Sequence, residues 1–182
     1  MAEPLPLQFV FYIAATPEKV WEGFVSSEAN RTIFMGAEFE ADLKPGGYMR
    51  WVGPGRDGKP TVYVRSEIQR YEPAKLLQYT FALGQSEKES RVTVKLVPET
   101  EATQVTVTHD GWAADDPGYA SCVDGWPRLL SRLKTLIETG KTSNRTDAII
   151  PVGLIAGSEV VPSRARGVGG GHVERDLETL AG

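Results

Sequence analysis

One cysteine, Cys122, is all the 182-residue chain contains, so no intramolecular disulfide can form and no thiolate cluster can hold a metal. A lone thiol suits a reducing compartment, and a cytoplasmic location is expected. Basic residues are not in excess: 20 Lys and Arg stand against 24 Asp and Glu, a formal charge of −4. The electrostatic footprint that neutralises a phosphate backbone is missing, which excludes nucleic acid as the expected partner. There is no apolar run of the roughly 20 residues needed to span a bilayer, and Met1–Leu7 lacks the charged and apolar regions of a secretory signal. A membrane role is not expected, and neither a cofactor motif nor a metal-ligand spacing appears. Gly169-Gly170-Gly171 lacks the following Lys-Ser/Thr of a phosphate loop.

What is present is apolar and patterned. Hydrophobic residues make up 41% of the chain and include four Trp, enough for one packed core. Leu7–Ile13 reads as a strand. Thr16 is an N-cap followed by Pro17 at the first helical position, with Val20, Trp21 and Phe24 at helical spacing, which predicts a short helix over Pro17–Val25. Ser26 or Ser27 opens a second through about Phe34. From Ala37 the period changes to two. Strands are expected at Phe39–Leu43, Tyr48–Val52, Thr61–Tyr71, Leu76–Leu83, around Val92–Leu96, and around Val105–Val107 as far as His109-Asp110-Gly111. Turn residues such as Pro45-Gly46-Gly47 and Asp57-Gly58 separate them, the mark of an antiparallel meander.

After Asp116-Pro117, an apolar stripe from Tyr119 to Ile137 predicts a long helix ended by Gly140, bent at Pro127 but in one piece. Thr142–Gly182 changes composition, with no Lys and a Gly-rich run, and is read as a flexible tail on a domain spanning 7–141.

This α+β order, one strand, two short helices, a six-stranded meander and a long C-terminal helix, is similar to the helix-grip fold of the START-like, Bet v 1-like superfamily. Four strings sharpen the likeness: Ala15-Thr16-Pro17-Glu18-Lys19-Val20-Trp21, Asp42-Leu43-Lys44-Pro45-Gly46-Gly47, Val107-Thr108-His109-Asp110-Gly111, and Gly125-Trp126-Pro127 through Leu136-Ile137-Glu138-Thr139-Gly140. Together they resemble the SRPBCC family named after the activator of heat-shock protein 90 ATPase. The resemblance implies a seven-stranded sheet curved around the long helix. It also implies members that bind lipids, steroids or aromatic compounds, or cyclise polyketides.

A concave face of this kind encloses a ligand cavity wherever its side chains leave a gap. The expected lining is Phe9, Phe11, Phe39, Trp51, Tyr63, Tyr79, Phe81, Val94, Val107, His109, Trp112, Tyr119, Cys122 and Trp126. The function read from this is binding of a small hydrophobic or aromatic molecule. The alternatives are a cyclase or hydrolase using the same cavity, and an interaction protein whose partner is a chaperone, a regulatory protein or a second copy of the chain. His109, the only histidine in the domain expected over 7–141, is a candidate proton carrier, or else a strand-end histidine bonded to backbone. Tyr63 and Tyr79 are further proton donors for the enzymatic reading. Arg50, Arg65 and Arg91 would meet a ligand carboxylate if turned inward, and solvent if outward.

Overall fold

The computed structural model describes residues 4–34, 36–84 and 86–141. The expected tail, Thr142–Gly182, lies outside the described residues. Strand β1 (Leu7–Ile13) leads to α1 (Pro17–Val25) and α2 (Ser27–Ile33). Then follow β2 (Glu38–Ala41), β3 (Tyr48–Pro54), β4 (Pro60–Glu72), β5 (Leu76–Leu83), β6 (Ser90–Pro98), β7 (Thr103–Asp110) and α3 (Gly118–Thr139). Every neighbouring pair is antiparallel, in the order β1-β7-β6-β5-β4-β3-β2. The curved seven-stranded sheet with its C-terminal helix is the α+β helix-grip arrangement that the element order implies.

Local chemistry sets the boundaries. The Thr16 hydroxyl accepts the Lys19 N–H and Pro17 fills N1, so α1 starts where its cap dictates. The Ser26 hydroxyl accepts from Ala29 N–H and caps α2. α2 stops one residue before the expected Phe34, which takes the capping conformation. Strand β2 ends at Ala41, short of Leu43, because the chain turns there: Lys44 N–H bonds the Asp42 carbonyl, and Gly46 takes a left-handed φ of 76°. At Gly47 a Cβ would overlap the Asp42 carbonyl oxygen, so the Pro-Gly-Gly string is a steric requirement of this turn. Strand β3 runs on through Gly53 and Pro54, two residues past the expected end at Val52. Gly53 is in a strand because its missing side chain makes room for the Tyr63 ring.

Helix α3 is continuous through Pro127 and closes at Gly140 with a φ of 67°. Its buried stripe, Cys122, Trp126, Leu130, Leu133 and Ile137, recurs at intervals of three and four and faces the sheet. Near its C-terminal end the helix is tied to the first strand: Lys134 Nζ donates to the Tyr12 carbonyl at 2.6 Å, and the Glu138 carboxylate accepts the Ala14 N–H at 2.9 Å.

Candidate functional site

The fourteen expected lining residues come together in and around one core. Phe39, Trp51, Tyr63, Tyr79, Val94, Val107, His109, Trp112, Cys122 and Trp126 are buried; Phe9, Phe11, Phe81 and Tyr119 are half-buried and packed against them. Tyr63 arrives there by an irregularity. The β3–β4 register shifts between Trp51 and Val52, leaving Tyr63 unopposed, so that Tyr63 and Val64 are consecutive yet both buried. Its hydroxyl donates to the Pro54 carbonyl at 2.7 Å.

His109 sits near the end of β7, fully buried. Its ring lies 3.9 Å from the Trp112 ring and 4.8 Å, edge-on, from Phe81. Trp126 Nε1 approaches Nδ1 at 2.9 Å, and the Ser90 hydroxyl lies 2.7 Å from Nε2. An indole nitrogen can only donate, so Nδ1 must accept and the proton must reside on Nε2. Nε2–H then donates to Ser90 Oγ, and the Ser90 hydroxyl donates in turn to the Phe81 carbonyl at 3.2 Å. A directed chain of hydrogen bonds thus runs from α3 through β7 and β6 to β5. Burial lowers the imidazole pKa to about 3, with Asp110 pulling weakly the other way, so the ring is neutral. Asp110 faces outward instead, where its carboxylate receives Arg91 Nε and Nη2 at 2.9 and 3.0 Å. The strand-end expectation of a backbone-bonded imidazole is corrected: His109 is a side-chain clamp, and it is the His109 carbonyl that takes the Trp112 N–H, at 3.0 Å. With both ring nitrogens engaged by protein, His109 is poorly disposed to shuttle a proton.

A second clamp was not foreseen. Asn30 on α2 is buried, with its Oδ1 accepting Trp51 Nε1–H at 3.0 Å while Nδ2 donates to the Phe24 and Ser26 carbonyls. Trp51 in turn packs on Phe34 and Phe39 at 5.1 and 5.0 Å between ring centres. Sequence offered one clue for Ser90, which shares the parity of Val92, Val94 and Leu96. Asn30 gave a weaker one, three residues ahead of Ile33.

Between these clamps the polar accounting is uneven. Ser66 Oγ is, among the described residues, the buried side-chain polar atom sealed off with no partner. The Tyr79 hydroxyl also has no hydrogen-bond partner among the described residues, yet it is not sealed; the residue retains 5% exposure although it lies on β5 beneath α3. Tyr79 and Cys122 are electrostatic neighbours across the sheet–helix gap. Burial holds the Tyr79 phenol well above its ordinary pKa and pushes the Cys122 thiol up to about 12, so both stay protonated. Buried and held protonated, Cys122 packs in the core as a small apolar residue.

The three arginines point outward. Arg50 pairs with Glu40, Arg91 with Asp110, and Arg65 donates to the Gly84 and Ser86 carbonyls at 3.0 and 2.6 Å. A groove of about 290 Å³ opens on that outer face, bordered by Tyr48, Arg50, Arg65, Glu67, Thr80 and Glu89. Its charged walls make it unlike the apolar space expected under the helix. Among the described residues no group of three His, Cys, Asp or Glu could hold a metal, and no helix is long and apolar enough to cross a membrane.

A sheet gripping a C-terminal helix over an aromatic concave face defines a START-like protein. The chain belongs to the family described as activator of Hsp90 ATPase homolog 1-like protein, whose model matches residues 14–138. Among solved structures, it is similar to ChR145 from Cytophaga hutchinsonii at 25% identity, covering 77% of this chain and 98% of that one, with a TM-score of 0.63. An Hsp90 activator from Plasmodium falciparum is similar at 17% identity, with 74% and 96% covered and a TM-score of 0.63. The Aha1 dimer from Colwellia psychrerythraea follows at 18% identity, with 76% and 99% covered and a TM-score of 0.59. At 17% and 18% identity, the likeness to these two establishes the fold alone. A search of curated proteins finds no match.

Proposed function

We propose that the protein binds a small, largely apolar molecule between the concave face of the sheet and the N-terminal half of α3. The observation that carries this reading is the Tyr79 hydroxyl, a polar group on a buried residue of the sheet that has no hydrogen-bond partner among the described residues. Proteins rarely leave a buried donor unmatched, because doing so costs about 1–3 kcal/mol, and a bound guest is one way to satisfy it. The surrounding walls suit an apolar guest, since Val94, Val107, Trp112, Cys122 and Trp126 are buried and uncharged. Nonpolar burial at about 25 cal/mol per Å² would supply the driving force. Entry is between the start of α3 and the segments 53–59 and 111–118, where Gly118 lets the helix approach the Leu83 side chain closely.

The clamps favour binding over proton-transfer catalysis, because His109 and Tyr63 spend their polar atoms on the protein itself. A reduced Cys122 fits a cytoplasmic location. The test is a titration of the full chain with the neutral fluorescent probe N-phenyl-1-naphthylamine, joined to native mass spectrometry of the protein as purified. Saturable one-to-one binding is expected. No saturable binding to folded protein would refute the proposal.

A further inference from the structure

We propose that the ligand is uncharged and carries a hydrogen-bond acceptor, an oxygen that the Tyr79 hydroxyl grips, so that Tyr79 orients an otherwise apolar guest. The inference rests on the binding reading above and adds the chemical class of the guest.

Two observations carry it. The first is the absence of countercharge. The buried polar residues are Asn30, Ser66, Ser90, Thr103 and His109, and no Asp, Glu, Lys or Arg is buried among the described residues. Arg50, Arg65 and Arg91 are held on the outer face by the partners already named. An ionised ligand head placed under α3 would therefore lose its hydration without gaining an opposite charge, a penalty of several kcal/mol. A neutral molecule escapes it.

The second is that nearly every other buried hydrogen-bonding side chain is already matched. Asn30 holds Trp51, Ser90 and Trp126 hold His109, Thr103 donates to the Ala15 carbonyl at 2.7 Å, and Tyr63 is bonded to Pro54. Ser66 is sealed from accessible space. Trp21 and Tyr79 remain; the Trp21 ring packs edge-on against Tyr71, whereas Tyr79 interacts with Cys122 of α3, which makes Tyr79 the polar group for a guest beneath the helix. Burial keeps it a phenol, so it is a donor first and seeks an acceptor such as a carbonyl or ether oxygen. The neighbouring Cys122 thiol is too weak a hydrogen-bonding group to compete.

The experiment compares three probes of one shape in competition with N-phenyl-1-naphthylamine on the full chain: 2-acetylnaphthalene, the hydrocarbon 2-isopropylnaphthalene and the anion 2-naphthoate. The ketone is expected to bind about tenfold more tightly than the hydrocarbon, as one well-made hydrogen bond allows. The anion is expected to be the weakest of the three. Tyr79→Phe should bring the ketone down to the hydrocarbon and leave hydrocarbon affinity within about twofold, since only an oxygen is removed. Hydrocarbon and ketone binding equally to the wild type, with Tyr79→Phe changing neither, would overturn this inference and leave the apolar site standing. Tightest binding by 2-naphthoate would overturn it as well, by revealing a countercharge. Failure of all three probes would remove the binding reading itself. The ranking on wild-type protein stands as a test even if Tyr79→Phe folds poorly.

Discussion

His109 shows how a residue type usually associated with catalysis can be spent on architecture. An imidazole offers one donor and one acceptor when neutral, and here a donor-only indole and a serine hydroxyl take both. The arrangement has a pH signature. The folded-state pKa is about 3 against an unfolded value near 6.5, so between those values the unfolded chain binds a proton that the folded chain does not. Stability contributed by His109 is therefore present above about pH 6.5 and declines as pH falls, by about 1.4 kcal/mol per unit at most. His109→Gln, which also loses the stacking on Trp112, is expected to be about 2–4 kcal/mol less stable than wild type at pH 7. That gap should narrow steadily by pH 4, because only the wild type suffers the protonation. Urea unfolding of both proteins across this range checks it, and a gap that stays constant would mean the imidazole is not held neutral.

At the level of elements, most of the fold was legible in the sequence because local signals agreed. Thr16-Pro17 gave the start of α1 to the residue, the parity of Val92, Val94 and Leu96 gave β6, and Gly140 gave the end of α3. Where the expectation fell short, a contact distant in sequence decided: β3 runs past its expected end at Val52 because Gly53 accommodates Tyr63 from the next strand. The Asp42–Gly47 string is the reverse case, a motif with a local steric cause. Gly47→Ala would drive a methyl group into the Asp42 carbonyl, which as backbone has little freedom to move. The expected cost is about 2–4 kcal/mol, seen as a lower urea midpoint with an unchanged slope. A variant as stable as wild type would show that the turn relaxes more readily than its geometry implies.

Taken whole, the molecule is a sheet with a helix fastened over it at two places, by Trp126 to His109 and by Lys134 and Glu138 to β1. Fastening of this kind keeps α3 over the concave face. Sequence named the residues that gather there but not their division of labour, because polar pairing depends on which atoms meet across strands far apart in the chain. His109 could be picked out as a candidate but its partners Ser90 and Trp126 could not be assigned to it; Tyr79 stood beside Tyr63 as a proton donor, and what separates the two is that Tyr63 bonds the Pro54 carbonyl while the Tyr79 hydroxyl has no partner among the described residues.

The central claim, that a guest lodges beside Tyr79, is tested most directly by NMR on isotope-labelled protein saturated with 2-acetylnaphthalene. The account predicts intermolecular cross-relaxation between naphthyl protons and the side chains of Tyr79 and Cys122. Contacts confined to the outer groove around Arg50 and Arg65, with the signals of Tyr79 and Cys122 unmoved at saturation, would contradict it.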